Sequence, residues 1–219
     1  AITIEDGEAI VETAKTKGVV AMTGFNQRYR RGYRRLRDAV ASGALGRPYH
    51  FFCQRFGMGP GATGVIKGRD WRTDQATLCG ITVESLSHDI DMMRWIMNDE
   101  VASVCGLTHS TATNLRGFDN NSHVLMRLGS GASAVISASW SSRIGFNNRG
   151  VLGETGTAFV SGTAVGNNGI WCSREFHIKT DDDEYEKIEM LQDDLDEKSY
   201  REETNDFVSA ILTGSRPLV

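Results

Sequence analysis

The chain has 219 residues, 40% of them hydrophobic and 24% charged, and a formal net charge of -4. That composition is enough for a sizeable soluble core and gives nothing global that favours nucleic acid. No apolar run approaches the roughly 18 residues that a membrane helix needs. The cysteines Cys53, Cys79, Cys105 and Cys172 form no CxxC, and the histidines form no HxxxH or HExxH pair. Free buried or half-buried thiols in a reducing, cytoplasmic compartment are expected.

The first predicted element is a helix opened by Thr3 and Asp6, with Ile10, Val11 and Ala14 at helical spacing and Lys15, Lys17 and Gly18 at its end. "VVAMTGF" (19–25) then reads as a short buried strand. A helix, a turn and a buried strand form the tail of an α/β unit whose preceding strand is not in this chain. The sequence starts without Met and stops just after a helix, so both ends look cut from something longer. Next, "RRGYRRLRDAVASGALG" (30–46) predicts a helix with Tyr33, Leu36 and Val40 on its apolar face, ended by Gly43. Its dense arginines fit a solvated face or ion-pair partners for the acidic segment near the C-terminus, ahead of a polyanion site.

"RPYHFFCQRF" (47–56) reads as a strand. The loop "GPGATG" (59–64) matches G-x-G-x-x-G, but the following "VIKGRDWRTD" lacks the helical period that a dinucleotide fingerprint requires, so this motif is set aside. "CGITVESLSHDIDMMRWIMND" (79–99) predicts one helix over 81–97. Glu84, His88, Asp91 and Trp95 share one face, and Leu86, Ile90, Met93 and Met97 the opposite one. From Val101 on, short β-type segments alternate with Gly, Asn and Ser turns, including a hairpin turn at "GSGA" (129–132). An acidic stretch (181–197) precedes a last helix with Phe207, Val208, Ile211 and Leu212 on one side. The fold expected is the tail of an α/β domain (1–25) followed by an α+β domain (26–219). The second has a large, mostly antiparallel sheet with helices on one face.

Three chemistries suit Glu84, His88 and Asp91: a metal site short of local ligands, a carboxylate pair for glycoside cleavage, or proton transfer at a substrate hydroxyl. In the last, His88 is the acid/base and Glu84 tunes or relays. The competing reading is an ordinary exposed Glu84–His88 pair. Trp95 on the same face argues against full exposure, as does Gly80 at the helix start, which lets another backbone come close.

Three stretches resemble the Gfo/Idh/MocA oxidoreductases. They are "GFNQRYRRGYRRLRDAVASGALGRPYHF", "DWRTDQATLCGITVESLSHDIDMMRWIM" and "GVLGETGTAFV". The second is similar to the family's W-x-x-D…G-G-x-x-x-[DE]-x-x-x-H-x-x-D helix and is the most specific. The resemblance implies a full-length enzyme whose N-terminal Rossmann domain binds NAD or NADP. A lysine from that missing part would be catalytic, and a sugar, polyol or cyclitol would be the substrate. It implies a homodimer or homotetramer formed through the open sheet face. Composition and ligand spacing, separately, lead us to expect no metal, nucleic acid or membrane partner. His88 would be the acid/base, with Glu84 in the place of the usual aspartate. Trp71 and Arg72 would line the substrate side. Asp91 would stand there too, orienting the helix more than doing chemistry, and Asn26 and Arg28 would lie near the nicotinamide. Departures are Glu84, one methylene longer than Asp, and Cys79 in place of the first glycine. The fragment alone is expected to be inactive. An NAD-dependent redox glycosidase and a non-catalytic binding or scaffold protein of the same fold are the alternatives.

Overall fold

The computed structural model describes residues 3–59, 80–111, 119–165, 174–190 and 196–219. A nine-stranded sheet organises them. Its strands are β1 (Pro48–Met58), β2 (Val101–His109), β3 (Asn121–Leu128), β4 (Ser133–Ser139), β5 (Ser141–Gly153), β6 (Gly156–Ser161), β7 (Thr163–Val165), β8 (Glu175–Thr180) and β9 (Glu186–Glu189). Their order is β2-β3-β4-β1-β5-β6-β8-β9, with β7 paired to β5. All pairs are antiparallel except β1 with β4, because β1 precedes the helical segment and inserts between two later strands. The β3–β4 hairpin turns where the sequence places it, with Gly131 at φ +91°.

Period-two alternation assigns the faces. Phe51 and Cys53 of β1, Ala134, Ile136 and Ala138 of β4, Val151 of β5 and Ala158 and Val160 of β6 are buried in one core. The helices cover that face. Helix α2 (Arg31–Ala41) contributes Tyr33, Leu36 and Ala39, and α4 (Leu86–Met97) contributes Leu86, Met92, Met93, Ile96 and Met97. The remaining helices are α1 (Ile4–Lys17), α3 (Gly80–Glu84) and α5 (Asp196–Thr213), with a 3₁₀ turn at Asn26–Tyr29.

Several expectations are corrected. Segment 19–25 is not a strand: no described strand pairs with it and Val19 is exposed. A short strand of this kind forms only when a neighbour satisfies its backbone. Helix α1 forms as predicted, with Asp6 N–H donating to Thr3 Oγ1 at 3.1 Å and Gly18 left-handed at its end, yet it buries no residue. The single helix predicted over 81–97 is two, broken at Ser85. On α5 the apolar Val208, Ile211 and Leu212 are exposed, while Ser199 and Ala210 are buried. Cys53 is a buried free thiol, but Cys105 is exposed, because β2 ends the sheet order and no helix among the described residues covers it. Cys79 and Cys172 lie outside the described residues, as does "GPGATG" beyond Gly59.

Candidate active site

Gly80 opens α3 at φ +76°, where a Cβ would lie 1.9 Å from Asp119 Oδ1. Only glycine fits this left-handed, crowded position. Asp119 holds the start of the helix: its carbonyl accepts from Ile81 N–H at 2.9 Å and its carboxylate from Thr82 N–H at 3.0 Å. One turn later the helix breaks. The Ser85 carbonyl accepts from His88 N–H at 3.2 Å, a tightened first turn of α4, and also from Arg55 Nη1 at 3.1 Å.

His88 leaves this turn half-buried, with the Phe25 ring edge-on to it at 5.4 Å between centroids. Its Nδ1 is buried and has no hydrogen-bond partner among the described residues. Burial, and then the nearby Arg55 cation, push the imidazole down to about 4, against the opposing pull of Asp89 and Glu84. The ring is therefore neutral near pH 7. Glu84 is half-buried, and its carboxylate accepts from Ser85 Oγ at 2.5 Å.

The other predicted residues separate. Arg28, Asp91 and Trp95 come together. Arg28 grips both oxygens of buried Asp91, at 2.8 Å from Nε and 2.5 Å from Nη2, and donates from Nη1 to the Leu218 carbonyl at 2.7 Å. Its guanidinium also lies 5.8 Å from the Trp95 ring, and Arg37 lies 5.1 Å from the same ring. Asn26 is buried and donates to Ser199 of α5 at 3.3 Å. Trp71 and Arg72 lie outside the described residues. Arg34 meets Glu202 of α5 at 3.0 Å, an acidic partner beyond the 181–197 stretch that the sequence pointed to.

Sequence reasoning missed the floor of the site. Asp89, fully buried, receives Arg149 Nε at 2.7 Å and Arg55 Nη1 at 3.3 Å. Arg149 also donates to Tyr33 Oη at 2.5 Å and to Asn147 Oδ1. Burial alone would raise the Asp89 carboxyl, but Arg149 and Arg55 outweigh it and hold it below the ordinary carboxylate range. Burial, with Asp89 beside it, keeps Cys53 a protonated thiol. One signal was available: Asp89 is in phase with Ser85, Met92 and Ile96, all buried against the sheet, so it is a carboxylate within an apolar stripe. Among the described residues no cluster of three or more His, Cys, Asp and Glu could hold a metal ion. No described helix is long and apolar enough to cross a membrane.

An α+β sheet domain with a neutral histidine, its Nδ1 without a partner among the described residues, on a helix packed over its covered face is the class that fold and site define. Residues 33–159 match the GFO/IDH/MocA C-terminal domain model, more than half of the chain, and the chain belongs to that family. It is 25% identical over 230 residues to a myo-inositol 2-dehydrogenase of Thermotoga maritima, covering all of this chain and 62% of the relative. It is 27% identical over 158 residues to a 1,5-anhydro-D-fructose reductase of Ensifer adhaerens, covering 70% of this chain and 46% of the relative. Thus the chain spans less than two thirds of either relative. Among solved structures, levoglucosan dehydrogenase in complex with NADH shares the fold at a TM-score of 0.81 and 17% identity, covering the whole chain and 63% of that structure. An aldose-aldose oxidoreductase from Caulobacter crescentus complexed with glycerol does so at 0.80 and 17%, with the whole chain and 62% of that structure covered.

Proposed function

We propose that this chain is the substrate-binding and assembly part of an NAD- or NADP-dependent oxidoreductase that acts on a hydroxyl of a sugar, polyol or cyclitol. One observation carries the reading: His88 is a half-buried imidazole held neutral near pH 7, and its buried Nδ1 has no hydrogen-bond partner among the described residues, so no such neighbour commits the ring. The relatives' names, an inositol dehydrogenase and a sugar reductase, support the substrate class.

In this reading His88 accepts the hydroxyl proton as the alcohol is oxidised and returns it in the reverse direction. The nicotinamide, when bound, supplies the hydride acceptor. Glu84, close enough to act on the imidazole electrostatically, favours the imidazolium as it forms and offers the proton a carboxylate exit. Asp91 and Arg28 are occupied with each other, so both act by holding α4 against the Asn26–Tyr29 turn. Asn26 and Arg28 serve the nicotinamide side through the backbone they anchor, and Trp71 and Arg72 complete the substrate side. The exposed surface at Ile10 of α1 and Val19 just after it faces the nicotinamide-binding domain, and the sheet face that no described helix covers joins copies of the enzyme.

The test is turnover of the full-length enzyme on a panel of polyols, cyclitols and aldoses, followed as reduced nicotinamide. His88→Ala is expected to lower turnover by roughly 10²-fold or more. Wild-type turnover in that variant would remove His88 from the chemistry. Glycoside cleavage without net reduced nicotinamide would move the assignment to the redox glycosidase.

A further inference from the structure

We propose that Arg55, on the sheet beneath the site, is the positioning residue for His88. It acts through the Ser85 carbonyl and Asp89, and the inference rests on the role given to His88 above.

The geometry is a rivet at both sides of the histidine. Ser85, three residues before His88, has a carbonyl shared by the His88 N–H at 3.2 Å and Arg55 Nη1 at 3.1 Å. Asp89, the residue after His88, meets the same Nη1 at 3.3 Å with one oxygen while Arg149 holds the other. Ser85 gives α4 no side-chain cap, because its hydroxyl is turned to Glu84. The first turn of α4 is therefore fixed by the sheet rather than by its own cap. The two arginines come from paired strands: Arg55 is opposite Asn147 and Cys53 opposite Arg149, so both guanidinium groups rise from the most central pair of the sheet. A backbone held in this way keeps the imidazole within the small tolerance that proton transfer demands.

Arg55 also sets the charge that His88 feels. The groups acting on the imidazole are Arg55 of β1 and Arg149 of β5, which oppose its protonation, and Asp89 of α4 and Glu84 of α3, which favour it. Of the cations, Arg55 weighs more than Arg149.

The test compares Arg55→Gln and Arg55→Lys in the full-length enzyme by kcat, KM, thermal midpoint and NMR titration of the His88 ring, assigned by loss of its signal in His88→Asn. In Arg55→Gln the ring's midpoint is expected to move up towards the ordinary value of about 6.5. Turnover should fall by about tenfold or more with KM little changed. A ring that titrates as in wild type would overturn the proposal, even with a lowered thermal midpoint. Should the Gln variant not fold, Arg55→Lys decides. It keeps the charge, but its ammonium ends one bond short of the Nη1 position that makes both contacts, so reduced kcat with the ring still titrating low supports positioning, and wild-type kcat refutes it. The titration is read without substrate, so it stands or falls separately from the His88→Ala result.

Discussion

Asp89, which sequence reasoning did not name, is the counter-charge of a fully buried arginine. Removing it leaves Arg149, 1% exposed, without its counter-charge. Asp89→Ala should destabilise the protein by about 3–5 kcal/mol in urea unfolding, the scale of breaking one side of a buried ion pair. A loss under 1 kcal/mol would mean that water or another group replaces the carboxylate. Acid adds a second effect of the same sign. The His88 imidazole titrates at about 4 when folded and about 6.5 when unfolded, so the unfolded chain binds more protons in between. Stability from this group is complete above pH 6.5 and falls as pH drops towards 4, by a few kcal/mol at most. His88→Asn, which does not titrate, should flatten the pH 4–6.5 portion of the stability curve; an unchanged slope would assign the acid sensitivity to other groups. Local spacing made His88 and Asp91 legible in the sequence. It could not supply Asp89's partners, which stand 34 and 60 residues away in the chain.

At the scale of elements, the break between α3 and α4 decides where Glu84 and His88 stand. Periodicity saw one helix because the apolar phase continues through Ser85, and no local residue announces that a distant arginine will take the Ser85 carbonyl. Gly80 was legible as a close approach but not as the left-handed start clasped by Asp119. Gly80→Ala is expected to cost at least about 2 kcal/mol, from the φ penalty and the collision with Asp119 together, and to reduce turnover because the start of α3 must shift. Gly131→Ala is the control. Its φ of +91° is also unfavourable, but nothing lies within 4 Å of the added Cβ and the turn is remote from His88. It should cost about 1 kcal/mol and leave turnover intact. Equal effects of the two on activity would show that the crowding at Asp119 does not matter. The sheet elements were read well because turn residues and alternation are local signals. The 19–25 segment and the apolar side of α5 were misread because composition marks a segment as fit for burial without saying what buries it.

For the whole molecule, one row of side chains crosses the uncovered sheet face from edge to edge. Register aligns Cys105, Leu125, Val135, Phe52, Gly150, Phe159, His177 and Lys187 on successive strands. Gly150 is the waist of this row. A Cβ there would lie 2.5 Å from Phe159 Cβ and 2.6 Å from Phe52 Cζ, so its absence lets the two rings approach to 6.4 Å. Phe159 in turn stacks on His177 at 4.3 Å, and Leu125 is 50% exposed and Leu107 75% at the β2 end. An apolar and aromatic band with rims of Arg127 and Lys187 has the composition of an interface centre with a polar border. Alternation predicted a sheet with one covered face; it could not show that the apolar residues of the other face line up, because alignment depends on the register of every pair. If this face joins copies, a charge placed in the row must be desolvated on assembly. Leu125→Glu should therefore lower the mass of the full-length enzyme in light scattering, while its exposed position leaves the thermal midpoint of the separated subunit within a degree or two of an equally dilute wild type. An unchanged mass would place the contact elsewhere and leave the row as packing within one chain.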